Sequence, residues 1–286
     1  MRDRADGFAG VCNAQMGNAQ MAAIFAFPRV AACLVGAVAL IACAPARAAD
    51  EEIQVYMNEI NAPGQPGLDL HVNDVATGDG TPDYPGGQSS LHRVRVTPEF
   101  SYSLDDHFEL GAYLPLTTID ASGRFRVDGW KLRLKWLARH PERGFYYGIN
   151  YEVGRVDYRL DQNPWNNEIK LIAGWEGDHW IIGTNTNIDF ALSGPAKTPA
   201  SVQLATKVGY KLAKETTFGI ESYNGIGTLR SFANFSGTEH STFVALDTRL
   251  GRWDLNAGVG KGYGTSKDSL IVKFIIGVPI GKASAT

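Results

Sequence analysis

The sequence predicts an all-β fold: a transmembrane antiparallel up-and-down β-barrel of about 12 strands. Three observations carry this reading. Apolar and polar residues alternate over most of residues 67–280, short polar turns alternate with long polar loops, and aromatic residues recur beside the short turns on the apolar face. Side chains of a strand point alternately to opposite faces, so such alternation describes a sheet with one apolar and one polar face.

The stretch HRVRVTPEFSYSLDDHFELGAYLPL (92–116) shows the pattern best. Val94, Val96, Pro98, Phe100, Tyr102 and Leu104 fill one face, and Arg93, Arg95, Thr97, Glu99, Ser101 and Ser103 fill the other. After Asp105-Asp106 the alternation restarts with Phe108, Leu110, Ala112, Leu114 and Leu116, as two strands joined by a tight turn require. The same logic places strands at 67–75, 92–104, 108–118, 127–138, 144–155, 166–176, 180–191, 200–212, 217–225, 240–250, 253–262 and 269–280. Short connections fall at 105–107, 177–179, 213–216 and 251–252, with a slightly longer one at 140–144. Long polar ones fall at 76–91, 118–126, 154–166, 193–200, 225–240 and 262–268. Short turns at one end and long loops at the other mark a membrane barrel, and an even strand number puts both ends of the chain on the short-turn side. The run IQVYMNEI (53–60) lies outside this count. It is either a bent extension of the first strand or a segment folded against the barrel.

A soluble barrel also alternates, with its apolar face inward. The aromatic residues argue for apolar-out. Tyr102 and Phe108 flank one short turn, Trp136 and Phe145 the next, Trp175 and Trp180 the third, Tyr210 and Phe218 the fourth, and Trp253 follows the fifth. Rings at one level form a girdle suited to the membrane–water interface. The opposite face is charged: Arg93, Arg95, Glu99, Glu109, Lys131, Arg133, Lys135, Glu152, Glu168 and Lys170 all fall on it. Acidic and basic residues balance there, as suits a hydrated interior. The Lys131/Arg133/Lys135 row is either an anion-attracting stripe in a pore or an ion-pair ladder with Glu109 and Glu152, and the balance of charge favours the ladder.

Before residue 49 the composition changes. Arg29 precedes the uncharged run VAACLVGAVALIACA (30–44), followed by Ala46-Arg47-Ala48 and then Ala49-Asp50-Glu51-Glu52. This is the form of a secretory signal peptide, 1–48, cut after Ala48; Met21 offers a second start. Leu40-Ile41-Ala42-Cys43 also resembles a lipoprotein box, which would place a lipid on Cys43 instead. The expected organisation is the leader, an N-terminal segment 49–66, a barrel over 67–281 and a tail of 282–286. Cleavage removes Cys12, Cys33 and Cys43, so no disulfide and no cysteine-ligated metal is expected in the mature chain. A formal charge of -3 without a basic stripe excludes nucleic acid as a partner.

On these features residues 67–280 resemble the outer-membrane β-barrel proteins of Gram-negative bacteria. More loosely, they are similar to transporter-type barrels grouped with the phenol-degradation MetA-like proteins. The resemblance implies outer-membrane lipid, lipopolysaccharide and the barrel-assembly machinery as partners, and no cofactor. Barrels of this kind often end in an aromatic residue read by that machinery. Here LIVKFIIGVPIG is followed by Lys282-Ala-Ser-Ala-Thr, a departure from the pattern.

No motif indicates catalysis. GVGKGYG (258–264) has neither the following helix nor the Gly-Lys-Ser/Thr of a phosphate loop. Gly258, Gly260 and Gly262 read as small lumen-facing residues, the place where an inward segment such as 53–60 would lie. His240-Ser241 is a weak hydrolase candidate, because adjacent strand residues face opposite ways. The remaining histidines are dispersed, without metal-ligand spacing. The expected function is passage of small solutes across the outer membrane. Its rivals are an outer-membrane enzyme acting on lipid or lipopolysaccharide and a structural barrel without an open pore.

Overall fold

A computed structural model describes residues 52–139, 142–196 and 199–280. The leader, the cleavage point, the three cysteines and the tail 282–286 lie outside the described residues.

The chain folds as strands β1 (Pro66–Gly78), β2 (Val94–Ser103), β3 (Phe108–Ile119), β4 (Phe125–Arg139), β5 (Gly144–Val156), β6 (Trp165–Glu176), β7 (Trp180–Ser193), β8 (Ser201–Ala213), β9 (Thr216–Thr228), β10 (Ser231–Phe232), β11 (Glu239–Leu250), β12 (Trp253–Gly264) and β13 (Asp268–Gly277). Neighbours in sequence pair antiparallel. β10 is a two-residue addition to the end of β9, which itself pairs with β8 and β11. β1 pairs with both β2 and β13, with Val72 opposite Val96 on one side and Phe274 on the other. The sheet therefore closes, and its wall has twelve strands. Closure removes the unpaired edge that would forbid a sheet from crossing hydrocarbon.

Each expected strand is present, with ends shifted by up to three residues. Local chemistry explains the turns. Asp105 Oδ1 accepts the backbone N–H groups of His107 (2.7 Å) and Phe108 (2.8 Å), which tightens the β2–β3 turn. Gly251 opens the two-residue β11–β12 turn at φ +66°, a conformation glycine adopts without strain.

Burial is inverted relative to a water-soluble protein. Leu110, Leu132, Leu134, Ile182, Val244 and Val259 are exposed, whereas Arg133, Lys170, Glu221 and Lys273 are buried. The nine aromatic residues Tyr102, Phe108, Trp136, Phe145, Trp175, Trp180, Tyr210, Phe218 and Trp253 lie at the short-turn ends of their strands. Several are direct cross-strand partners: Phe108 with Trp136, Phe145 with Trp175, and Tyr210 with both Trp180 and Phe218. The rings of Trp180 and Tyr210 meet edge to face, 5.0 Å between centroids.

Residues 53–60 are not a strand and do not extend β1. The run has no regular secondary structure and pairs with no strand, and Ile53, Val55, Tyr56 and Met57 are buried. They cluster with Leu137, Tyr146, Ile172, Ile181, Ala205, Tyr223, Phe243 and Ile271, each from a different wall strand. A segment can meet so many strands of a closed barrel only from inside, so it occupies the lumen.

Candidate functional site

The course of the segment follows from its contacts. Gly64 N donates to Ser103 O (2.8 Å) at the short-turn mouth, and Pro66 begins β1. Pro63 and Pro66 have no N–H to give a ladder, which suits a bend rather than a strand. Read backwards from there, the chain climbs inward. Asn61 donates its N–H (3.2 Å) and Nδ2 (3.1 Å) to Glu109 Oε2, and Lys135 Nζ donates to Glu59 O (2.8 Å).

Near the middle of the wall strands, Asn185 grips the backbone of Tyr56 twice. Tyr56 N donates to Asn185 Oδ1 (2.6 Å), and Asn185 Nδ2 donates to Tyr56 O (2.9 Å). The Tyr56 hydroxyl lies 2.5 Å from that of Tyr113, which donates to Glu52 Oε2 (2.9 Å). Lys273 Nζ donates to Ile53 O (2.9 Å). These bonds satisfy backbone groups that have no ladder to join.

The charges around the segment form a continuous network. Arg133 Nε reaches Glu99 Oε1 (2.5 Å) and its Nη2 reaches Glu109 Oε1 (2.8 Å), which Lys135 Nζ also meets (3.1 Å). Lys170 Nζ lies 3.2 Å from Glu152, 3.0 Å from Glu168 and 3.3 Å from Glu52; Lys131 Nζ is 3.8 Å from Glu152. His71 Nε2 adds a 2.9 Å contact to Glu99. The Tyr56 ring sits among three of the cations, with Lys170 Nζ at 4.6 Å, Lys135 Nζ at 5.5 Å and Arg133 Cζ at 5.8 Å from its centroid.

Eight of the ten lumen residues read from the sequence thus meet in one place: Glu99, Glu109, Lys131, Arg133, Lys135, Glu152, Glu168 and Lys170. Arg93 and Arg95 are buried on the same face of β2 but nearer the long loops, where Arg93 Nη2 pairs with Asp268 Oδ2 (2.7 Å). A second group lies on the other side of the lumen, where Lys207 joins Glu221 (3.3 Å) and Asp247 (2.7 Å), and Lys273 also pairs with Glu221.

Of the residues that hold the segment, Glu109 and Lys135 were read from the sequence as lumen charges, but the rings and the asparagine were not singled out. Tyr113, Tyr146, Asn185, Tyr223 and Phe243 all fall on the lumen-facing parity of their strands. A large ring among charged residues on a polar face was the available signal, since a water-filled interior gives a ring nothing to pack against. The glycine stripe serves a different purpose from the one expected. A Cβ at Gly260 would collide with the Phe243 ring, and one at Gly258 would crowd Lys273 (3.1 Å to Cε). The stripe makes room for wall side chains. Glycines against the segment lie elsewhere: a Cβ at Gly183 would collide with Met57 Sδ, and one at Gly67 with Asn61 Nδ2.

His240 stacks on Phe235 (3.9 Å between centroids) and beside Tyr263 (5.3 Å) in a three-ring cluster at the long-loop end, and its Nε2 donates to Phe235 O (2.6 Å). Among the described residues no hydrogen bond joins it to the Ser241 hydroxyl, which as its strand neighbour points to the other face.

No family model and no curated protein matches the chain. Solved structures do. The KdgM porin aligns with a TM-score of 0.50 at 13% identity, over 75% of this chain and 99% of that one. The COG4313 outer membrane channel from Pseudomonas putida F1 aligns with a TM-score of 0.50 at 13% identity, over 79% and 100%. The NanC porin aligns with a TM-score of 0.49 at 9% identity, over 75% and 100%. At such identities the likeness is one of fold, and the chain has the architecture of an outer-membrane β-barrel.

Proposed function

We propose that this protein is an outer-membrane channel for small solutes whose passage is closed by its own N-terminal segment. The observation that carries the reading is the crossing of a closed, polar lumen by residues 52–61 at mid-height. An enzyme acting on lipid would present its chemistry outward or at the mouth, whereas here the charges are buried inside the lumen. The likeness of fold to the KdgM porin and to the COG4313 outer membrane channel supports the same class. Kinship with the transporter-type barrels of the phenol-degradation MetA-like group is part of this proposal, as are export by a cleaved leader and insertion by the barrel-assembly machinery.

The segment is held by separable contacts, so it can leave without unpairing the wall. In the open state the Lys131/Arg133/Lys135 row and its carboxylate partners line the path, and their balance makes the channel weakly selective. The test is conductance in planar bilayers, comparing the unaltered chain with Tyr56→Ala/Asn185→Ala. The reading expects low or intermittent current from the first and sustained current from the second. A double variant that is folded, inserted and as silent as the unaltered chain would overturn it in favour of a barrel without a pore.

A further inference from the structure

The outward face of the wall is largely apolar, yet Arg155 in β5 and Lys261 in β12 are exposed cations on it. Their surroundings differ. Arg155 has a tryptophan as cross-strand partner on each side, Trp130 on β4 and Trp165 on β6. The two indoles meet edge to face across β5, 5.8 Å between centroids. Gly129, at φ +147°, brings β4 against the Arg155 carbonyl, where any Cβ would collide, so this corner is closely packed. Asp157, two residues further on, is engaged by Arg159 (3.4 Å), and Arg155 makes no ion pair among the described residues.

Height identifies what Arg155 meets. It lies ten residues beyond Phe145 of the aromatic girdle on the same strand. At about 3.3 Å per residue and a tilt of roughly 40°, ten residues climb about 25 Å, the height of the apolar band of such a barrel. Arg155 therefore sits at the opposite interface, on the long-loop side, which faces outward from the cell. Tryptophans at the same level are what that interface favours. A guanidinium there is beneath lipid headgroups, and its planar fork matches phosphate oxygens bidentately.

We infer that Arg155, framed by Trp130 and Trp165, is a binding site for a phosphate group of an outer-leaflet glycolipid. The indoles cover the sugar and upper acyl chains while the guanidinium takes the phosphate. Lys261, between Thr242 and Leu270 and without an indole partner, provides the internal comparison. The inference rests on insertion with the long loops outward and not on conduction, so a silent channel would leave it intact.

The test is native mass spectrometry of the full chain in detergent, titrated with diphosphoryl lipid A and with its enzymatically dephosphorylated form. Heat-modifiable gel mobility checks folding of each variant. The expected result is at least a fivefold loss of diphosphoryl lipid A binding for Arg155→Gln, partial retention for Arg155→Lys, little change for Lys261→Gln, and weak binding of the dephosphorylated lipid to all. Equal losses for Arg155→Gln and Lys261→Gln would reduce the effect to general surface charge. Unaltered binding by Arg155→Gln, or equal binding of the dephosphorylated lipid, would remove the phosphate site.

Discussion

The wall and the segment inside it are held in different ways. The wall is a closed ladder in which each strand is bonded along both edges, so no strand leaves without opening two neighbours. The segment makes no ladder. It is held by side chains, chiefly Asn185, Tyr113, Lys135, Lys273 and Glu109, and by one apolar cluster. Local opening follows the weakest cooperative unit, and here that unit is the segment. The same lumen charges that lock the wall to itself also anchor the segment, so the two regions share a network and differ in their cost of release.

The largest effects are expected in the wall. Leu134 is exposed on the outward face in the middle of β4, and Arg133 beside it bridges Glu99 and Glu109 inside. Leu134→Arg is expected to cost about 2–4 kcal/mol, the usual penalty for a basic residue facing hydrocarbon near the midplane. Arg133→Leu is expected to cost about 3–5 kcal/mol if the network is dry, because it leaves Glu99 and Glu109 short of a buried partner. Denaturant titration in lipid measures both. A spin label at 134 quenched by a lipid-soluble reagent, with one at 133 quenched only by a water-soluble one, checks the facing. The reverse pattern would invert the barrel.

Effects on the segment are expected to be smaller in stability and larger in transport. Tyr56→Ala removes the ring from its cluster of cations, but the segment can leave rather than strain the wall. The unfolding midpoint is expected to move little while current through the channel rises. A shift as large as that of Leu134→Arg would mean that the segment and wall unfold as one unit. Asn185→Ala removes both bonds to the Tyr56 backbone, worth about 1–3 kcal/mol together at a typical net value per hydrogen bond. It should raise amide exchange in 52–61 without raising it in β7.

The smallest effect concerns the β3–β4 loop, remote from the segment. The Ser122 hydroxyl and the N–H groups of Ser122 and Arg124 donate to Asp120 and hold its carboxyl well below the usual carboxylate range. A depressed carboxyl contributes order above its unfolded value and loses it as pH falls through the folded one. The loop is therefore expected to keep its structure through mildly acidic pH and open only in strong acid, while current stays unchanged. Loop proton resonances followed against pH check this, and a loop that opened near neutrality would contradict it.

The wall was legible in the sequence because a period of two is imposed by geometry on every strand, and because turns have their own residues. The charged face was legible for the same reason. The segment was not, because nothing periodic marks an irregular chain packed against irregular partners. Its trace was indirect: Tyr113, Tyr146, Tyr223 and Phe243 on a face otherwise set with Glu109, Glu152 and Glu221. Four rings on a polar face need something to cover them. The two readings left open for 53–60 could have been separated on that ground.

The most direct measurement tethers the segment reversibly. A Cβ at position 183 would fall against Met57 Sδ, so cysteines at 57 and 183 are within disulfide reach. Single channels of Met57→Cys/Gly183→Cys, with Cys12, Cys33 and Cys43 replaced by alanine, are recorded under oxidant and then under reductant. Openings that disappear on oxidation and return on reduction are the predicted result. A steady current indifferent to the disulfide would contradict closure of the lumen by its N-terminal segment.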